Sequence, residues 1–93
     1  MVDRYKEANT RPENEVSLRH MAVDEALLKL DKYLNDAFMA GLYQVTVVHG
    51  KGTGTLRLAA HRALARHSLV KSYRLGIYGE GEAGVTIVEL VQR

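Results

Sequence analysis

The chain has 93 residues, with 13 Lys and Arg against 11 Asp and Glu, a formal net charge of +2, and no cysteine. This length holds one domain and not two, burying roughly 60–65% of its unfolded surface, and the absence of cysteine excludes a disulfide framework and a thiolate metal site. No apolar run approaches the ~20 residues that cross a bilayer, and the opening MVDRYKEANT lacks the apolar centre of a signal peptide, so a cytoplasmic chain with no membrane partner is expected.

Residues 1–15 are polar, contain Pro12 and offer little that can pack. They are expected to form a flexible tail or linker, with residues 16–93 as the domain. Val16–Arg19 is a short strand candidate. A helix follows over about Ala22–Ala40. Val23, Ala26, Leu27, Leu30, Leu34, Ala37 and Phe38 recur at the three-and-four spacing of one buried stripe. Asp24 and Glu25 suit the positive end of its dipole, and Gly41 is a natural left-handed stop.

Gln44–Val48 is a β-branched run, apolar on both faces, which predicts an interior strand of a parallel pair. The glycine-rich turn His49-Gly50-Lys51-Gly52-Thr53-Gly54 comes next. A second helix is expected from Thr53 or Leu56 to Arg66, with Leu56, Ala60, Ala63, Leu64 and His67 inward and Arg57, His61, Arg62 and Arg66 outward. Val70–Leu75 is a third strand. Residues 76–84 hold four glycines in nine and form a loop, and Val85–Leu90 is the last strand. The predicted order is β-α-β-α-β-β, an α/β domain with a mixed sheet and an antiparallel final strand.

The charge is unevenly spread along this order. Residues 1–48 hold six Lys and Arg and eight Asp and Glu, a balance of −2, whereas residues 49–93 hold seven and three, a balance of +4. A basic half suits a phosphate-rich partner, though ordinary solvated charge has the same signature.

The turn at 49–54 is where the chemistry concentrates. Ligands of open α/β sheets bind outside the carboxyl ends of strands. Glycines let backbone approach a ligand with no Cβ in the way, and N–H groups at a helix start favour anionic oxygen. Lys51 adds a full charge, Thr53 a hydroxyl, and Arg57 lies one turn further on. The spacing is not the GxxxxGK[ST] of a phosphate-binding P-loop, nor a dinucleotide fingerprint.

HGKGTGTLR, followed by a helix, a strand and a glycine loop ending in GVTIVEL, resembles the Smr (small MutS-related) family, and VDEALLKLDKYLNDAFMAGL looks like that family's first helix. The resemblance covers about Val16 to Leu90 and is closest to the Smr domain that ends type-two MutS proteins. It implies a two-layer α/β sandwich similar to the C-terminal domain of translation initiation factor three. It also implies DNA or RNA binding, with nicking or cleavage in several relatives, and a place in a larger MutS-type ATPase chain that suppresses recombination or acts on stalled ribosomes.

One motif departs from the family. Where relatives read LDLRG or LDxHG, this chain reads Val16-Ser17-Leu18-Arg19-His20. Ser17 stands at the frequent aspartate and cannot orient a base or hold a metal as a carboxylate does. Arg19 still suits a bidentate phosphate contact.

The expected nucleic-acid contacts are therefore Arg19, His20, Gly50, Lys51, Gly52, Thr53, Gly54 and Arg57. His49 is the acid/base candidate, with a purely structural ring as the alternative. His20 reads as a phosphate contact, a second catalytic group or a solvent-facing residue. His61 and His67 read as surface or boundary residues. Glu80 and Glu82 either offer a carboxylate toward the turn or are solvated loop charges. Tyr73 and Tyr78 either stack on bases or pack with a wet hydroxyl. No metal site and no cofactor are expected in the domain, and the metal dependence of any cleavage stays open. The alternative function is a protein-interaction module, docking a ribosome or subunit through an exposed apolar sheet face without catalysis.

Overall fold

The computed structural model describes residues 13–92. Most of the expected tail, residues 1–12, lies outside them. Strand β1 (Glu15–Ser17) leads to helix α1 (Val23–Met39), strand β2 (Gln44–Val48), helix α2 (Thr55–Arg66), strand β3 (Val70–Leu75) and strand β4 (Val85–Leu90), with a 3-10 turn at Glu82–Gly84. This is the predicted order, a two-layer α/β sandwich.

The sheet runs β1-β2-β4-β3. β1 and β2 pair in parallel, Val16 beside Val47, while β4 is antiparallel to both β2 and β3. The last strand therefore fills the middle of the sheet and separates the two strands that α2 connects. β4 also carries the most continuous apolar burial, with Val85 through Val88 all buried, as an interior strand requires.

Strand β1 is shifted from the expected Val16–Arg19. Leu18 still donates its N–H to Val48 O at 2.7 Å, but the chain leaves the ladder at Arg19 because His20 takes a left-handed turn at φ 67°. Tyr33 on α1 donates its hydroxyl to Glu13 O and so fixes the entry to the strand.

Of the predicted α1 stripe, Ala26, Leu30, Leu34 and Ala37 are buried, and Val23, Leu27 and Phe38 are half-buried. They pack on Val16, Leu18, Val45, Val47, Val88 and Leu90 from the sheet, and on Ala60 and Leu64 from α2. Each fully buried leucine contributes about 1.5–3 kcal/mol. The helix stops as Gly41 predicts. With Gly41 at φ 81°, its N–H donates to Phe38 O and that of Leu42 to Ala37 O, both at 3.0 Å, the paired bonds that close a helix through a left-handed residue. This turn aims β2 back along the sheet, so that β2 ends at Val48 and delivers His49 to its carboxyl end.

The outward side of α2 requires a correction. Arg62 and Arg66 are exposed, but Arg57 and His61 are half-buried. His61 faces the sheet because Thr86, opposite Val47 in the register, presents its hydroxyl beneath α2. His67 sits at the boundary as expected, its Nδ1 accepting from Leu69 N–H and its Nε2 meeting Asp31 Oδ1 at 2.9 Å.

Candidate nucleic-acid interface

At the carboxyl end of β2 the N–H groups of His49 and Gly50 both donate to Gly84 O, at 3.1 and 2.9 Å. These bonds anchor the turn to the end of the β3–β4 loop. The approach is close: a Cβ on Gly84 would lie 3.4 Å from Lys51 Cγ. The chain then reverses through two left-handed glycines, Gly50 at φ 83° and Gly54 at φ 87°, a conformation that costs other residues about 1–2 kcal/mol.

Each of these glycines also seats an arginine. A Cβ on Gly50 would be 3.6 Å from Arg19 Nε, and one on Gly54 would be 2.9 Å from Arg57 Nη2. At Gly54 the bare backbone is what lets the Arg57 guanidinium lie this close, whereas a Cβ at Gly50 would meet Arg19 only in ordinary van der Waals contact. Among the described residues neither arginine has a carboxylate partner. Lys51 meets Glu82 at 3.5 Å, both side chains being half or more exposed.

Between these cations the backbone N–H groups of Lys51, Gly52, Thr53 and Gly54 have no protein acceptor among the described residues. Gly54 caps α2 without a side-chain bond, and the first helical bond is Leu58 N–H to Gly54 O. Thr53 Oγ1 lies 2.9 Å from Thr55 Oγ1. The result is an open cavity of about 270 Å³, lined by Arg19, His20, His49 and the turn through Arg57. All the residues predicted as nucleic-acid contacts border it, and so does His49, the acid/base candidate. No carboxylate lines it. Chemically it offers free amide donors, a helix N-terminus and three cations, the equipment for a phosphate-like anion.

His49 is nearly enclosed, with 5% of its surface exposed, and both ring nitrogens are engaged. Nδ1 lies 3.0 Å from Gly50 O and Nε2 lies 2.8 Å from the buried Thr86 Oγ1. Burial lowers its pKa, with the Arg57 charge adding to the effect and the Gly50 carbonyl opposing it. His61 Nε2 reaches the same Thr86 hydroxyl at 2.7 Å. Its pKa is also lowered, first by burial and then by His49 and Arg57. Thr86 does not stand out in the sequence, and His61 reads there as a surface or boundary residue. The available signal was the alternation of VTIVEL, which puts Thr86 on the same face as Val88 and Leu90.

The remaining candidates divide. Glu82 does fold toward the turn, onto Lys51, whereas Glu80 forms a two-toothed bond to Arg74 and accepts from Ile77 N–H, which holds its carboxyl down to about 2. Tyr73 packs against His61, ring centres 5.0 Å apart, while Tyr78 is 90% exposed. Among the described residues no group of three His, Cys, Asp or Glu is placed to hold a metal ion, and no helix is long and apolar enough to cross a membrane.

The Smr domain family matches residues 16–91 of this chain. Endonuclease MutS2 of Pelotomaculum thermopropionicum is 59% identical over 76 residues, covering 82% of this chain and 10% of that protein. Endonuclease MutS2 of Clostridium beijerinckii is 62% identical over 78 residues, covering 84% and 10%. This chain thus spans about a tenth of the length of the relatives it matches. Among solved structures, the Smr domain of Thermus thermophilus MutS2 superposes with a TM-score of 0.81 at 47% identity, covering 83% of this chain and 96% of that one. The stand-alone small MutS-related protein YdaL of Escherichia coli shares the fold, with a TM-score of 0.78 at 24% identity over 91% of this chain and 70% of that one. With the family match spanning nearly all the described residues, the chain belongs to the Smr domain family.

Proposed function

We propose that this Smr domain binds the phosphate backbone of DNA or RNA at the turn 49–57, as part of a larger MutS2-type ATPase chain. The observation that carries the reading is the set of four unpartnered N–H groups, from Lys51 to Gly54, framed by Arg19, Lys51 and Arg57. The amides hold one phosphate, Arg19 and Arg57 grip it or its neighbours, and His20 borders the same cavity. Such contacts fix position on the backbone and carry no sequence information by themselves. The cytoplasmic setting and the parent chain's action on recombination intermediates or stalled ribosomes belong to the same proposal, since each presents nucleic-acid backbone.

Backbone nicking is the further activity in this reading, supported by the endonuclease names of the relatives. Both ring nitrogens of His49 are engaged, by Gly50 O and Thr86 Oγ1, so His49 assists proton transfer in this reading by releasing its Gly50 bond toward the cavity. The test is supercoiled DNA and single-stranded RNA incubated with wild type and with His49→Ala, folding of the variant being checked by circular dichroism. Loss of cleavage in the variant supports the role; equal cleavage by both removes His49 from the chemistry. For binding, gel shifts on matched DNA and RNA with a Lys51→Ala control are expected to show weakened complexes in the variant, and equal complexes overturn the assignment.

The protein-docking alternative requires an exposed apolar sheet face. The face away from the helices instead presents Glu15, Ser17, Gln44, Thr46, Ser72, Arg74 and Glu89 by strand register, around a half-buried Val48 and a buried Ile87. Val85 on that side is covered by the glycine loop, whose Gly76 and Gly81 lie against its methyl groups. The polar face favours the nucleic-acid reading.

A further inference from the structure

Thr86 is completely buried, and its single hydroxyl lies within hydrogen-bond distance of two imidazoles, 2.8 Å from His49 Nε2 and 2.7 Å from His61 Nε2. One hydroxyl has one proton to donate. The two contacts therefore differ in direction, and a third bond decides which is which. His49 Nδ1 faces the carbonyl oxygen of Gly50 at 3.0 Å. A carbonyl only accepts, so Nδ1 carries the hydrogen. In the neutral ring Nε2 is then an acceptor, and the Thr86 O–H must point at it. Thr86 Oγ1 is left to accept from His61 Nε2–H. The order runs from His61 N–H through the Thr86 hydroxyl to His49, and from His49 Nδ1–H to Gly50 O.

The last bond reaches the anion cradle. The peptide between Gly50 and Lys51 is trans, as are all peptides described, so its C=O and N–H point in opposite directions. With the carbonyl held down on the His49 ring, the Lys51 N–H is turned away from it. Lys51 N–H is one of the four amides with no protein acceptor among the described residues.

We propose that Thr86 and His61 are positioning residues for the anion-binding turn: they lock His49 in its Nδ1–H form, which fixes the Gly50–Lys51 peptide with its N–H outward. The inference rests on the anion-binding reading of the turn for its consequence, but not for its mechanism, which is a property of the free protein. An inverted tautomer of His49 puts a lone pair against the Gly50 carbonyl, and it requires the Thr86 hydroxyl to turn its hydrogen from His49 to His61, whose Nε2 must then give up its own hydrogen. The ring nitrogen left over is His61 Nδ1, which has no hydrogen-bond partner among the described residues.

The test is ¹⁵N NMR of the imidazole nitrogens at pH 8 in wild type, Thr86→Val and Thr86→Ser, with the Lys51 amide followed in the same samples. The expected result is Nδ1–H at His49 and Nε2–H at His61. Thr86→Val mixes the tautomers and shifts the Lys51 amide, and Thr86→Ser restores both. Titration with a duplex DNA dodecamer and with a twelve-nucleotide oligo-U RNA is expected to show about tenfold weaker binding in Thr86→Val, the scale of one lost buried hydrogen bond, with recovery in Thr86→Ser. An Nε2–H His49 in wild type overturns the proposal, as does a Thr86→Val protein, folded by its amide spectrum, with unchanged tautomers and Lys51 amide. Wild type that binds neither nucleic acid while showing the stated tautomers overturns the anion-binding reading and leaves the lock standing.

Discussion

Lys51 Nζ and Glu82 Oε1 stand 3.5 Å apart across the edge of the anion cradle, one from the turn after β2 and the other from the loop before β4. The side chains are 65% and 51% exposed, so the pair is worth at most about 1 kcal/mol. An incoming phosphate can therefore displace Glu82 from Lys51. Replacing Glu82 by Gln is expected to tighten DNA or RNA binding by about two- to fivefold at low salt, read by fluorescence anisotropy, with the gain fading as salt rises. An affinity equal to wild type at low salt removes Glu82 as a competitor.

His20 is held at φ 67°, a conformation that favours glycine. A side chain in this region costs about 1–2 kcal/mol, partly offset by the greater freedom glycine has when unfolded. His20→Gly is therefore expected to stabilise the domain by about 0.5–1 kcal/mol, raising Tm by a few degrees. A lower Tm in scanning calorimetry means that the His20 side chain contributes more than its backbone strain removes.

Glycines 52 and 76 provide a matched pair. A Cβ on Gly52 meets nothing within 4 Å, whereas one on Gly76 would lie 2.6 Å from Val85 Cγ2 and 2.9 Å from the backbone oxygen of Glu82. Backbone and a buried strand residue have little room to yield. Gly76→Ala is expected to cost about 1–3 kcal/mol, and Gly52→Ala to stay within about 0.5 kcal/mol of wild type. Urea unfolding measures both, and equal midpoints contradict the packing of the glycine loop on Val85.

The buried histidines give the fold a pH dependence with a definite sign. His49 and His61 both titrate below the ordinary value of 6.5 in the folded protein. In the unfolded chain they take up protons near 6.5. As pH falls below that value the unfolded state binds more protons than the folded one, so stability is full above it and declines until the folded values are passed. The urea midpoint at pH 5 is expected to be lower than at pH 7.5, and His61→Gln is expected to narrow the gap. A midpoint that rises on acidification contradicts the burial described for these rings.

Much of this arrangement was legible in the chain. The α1 stripe, the stop at Gly41, the interior strand Gln44–Val48 and the basic glycine turn each follow from local chemistry, and local chemistry is what a sequence displays. The place of β4 was not legible, because strand order is set by pairings between segments far apart. The His49–Thr86–His61 cluster was hidden for the same reason. Its members are separated by 37 and 25 residues, and Thr86 in VTIVEL reads as one more β-branched strand former until the register sets it opposite Val47. His61 read as outward because a polar residue beside Arg62 on a basic helix has no local reason to turn in.

The central claim is that the turn at 49–57 neutralises nucleic-acid phosphates, and the salt dependence of binding tests it most directly. With Arg19, Lys51 and Arg57 in contact, the affinity for duplex DNA is expected to fall with a log–log slope of about −2.7, about −0.9 for each phosphate neutralised. Lys51→Ala or Arg57→Ala is expected to flatten the slope by about 0.9. A slope near zero, or one that neither substitution changes, contradicts the account.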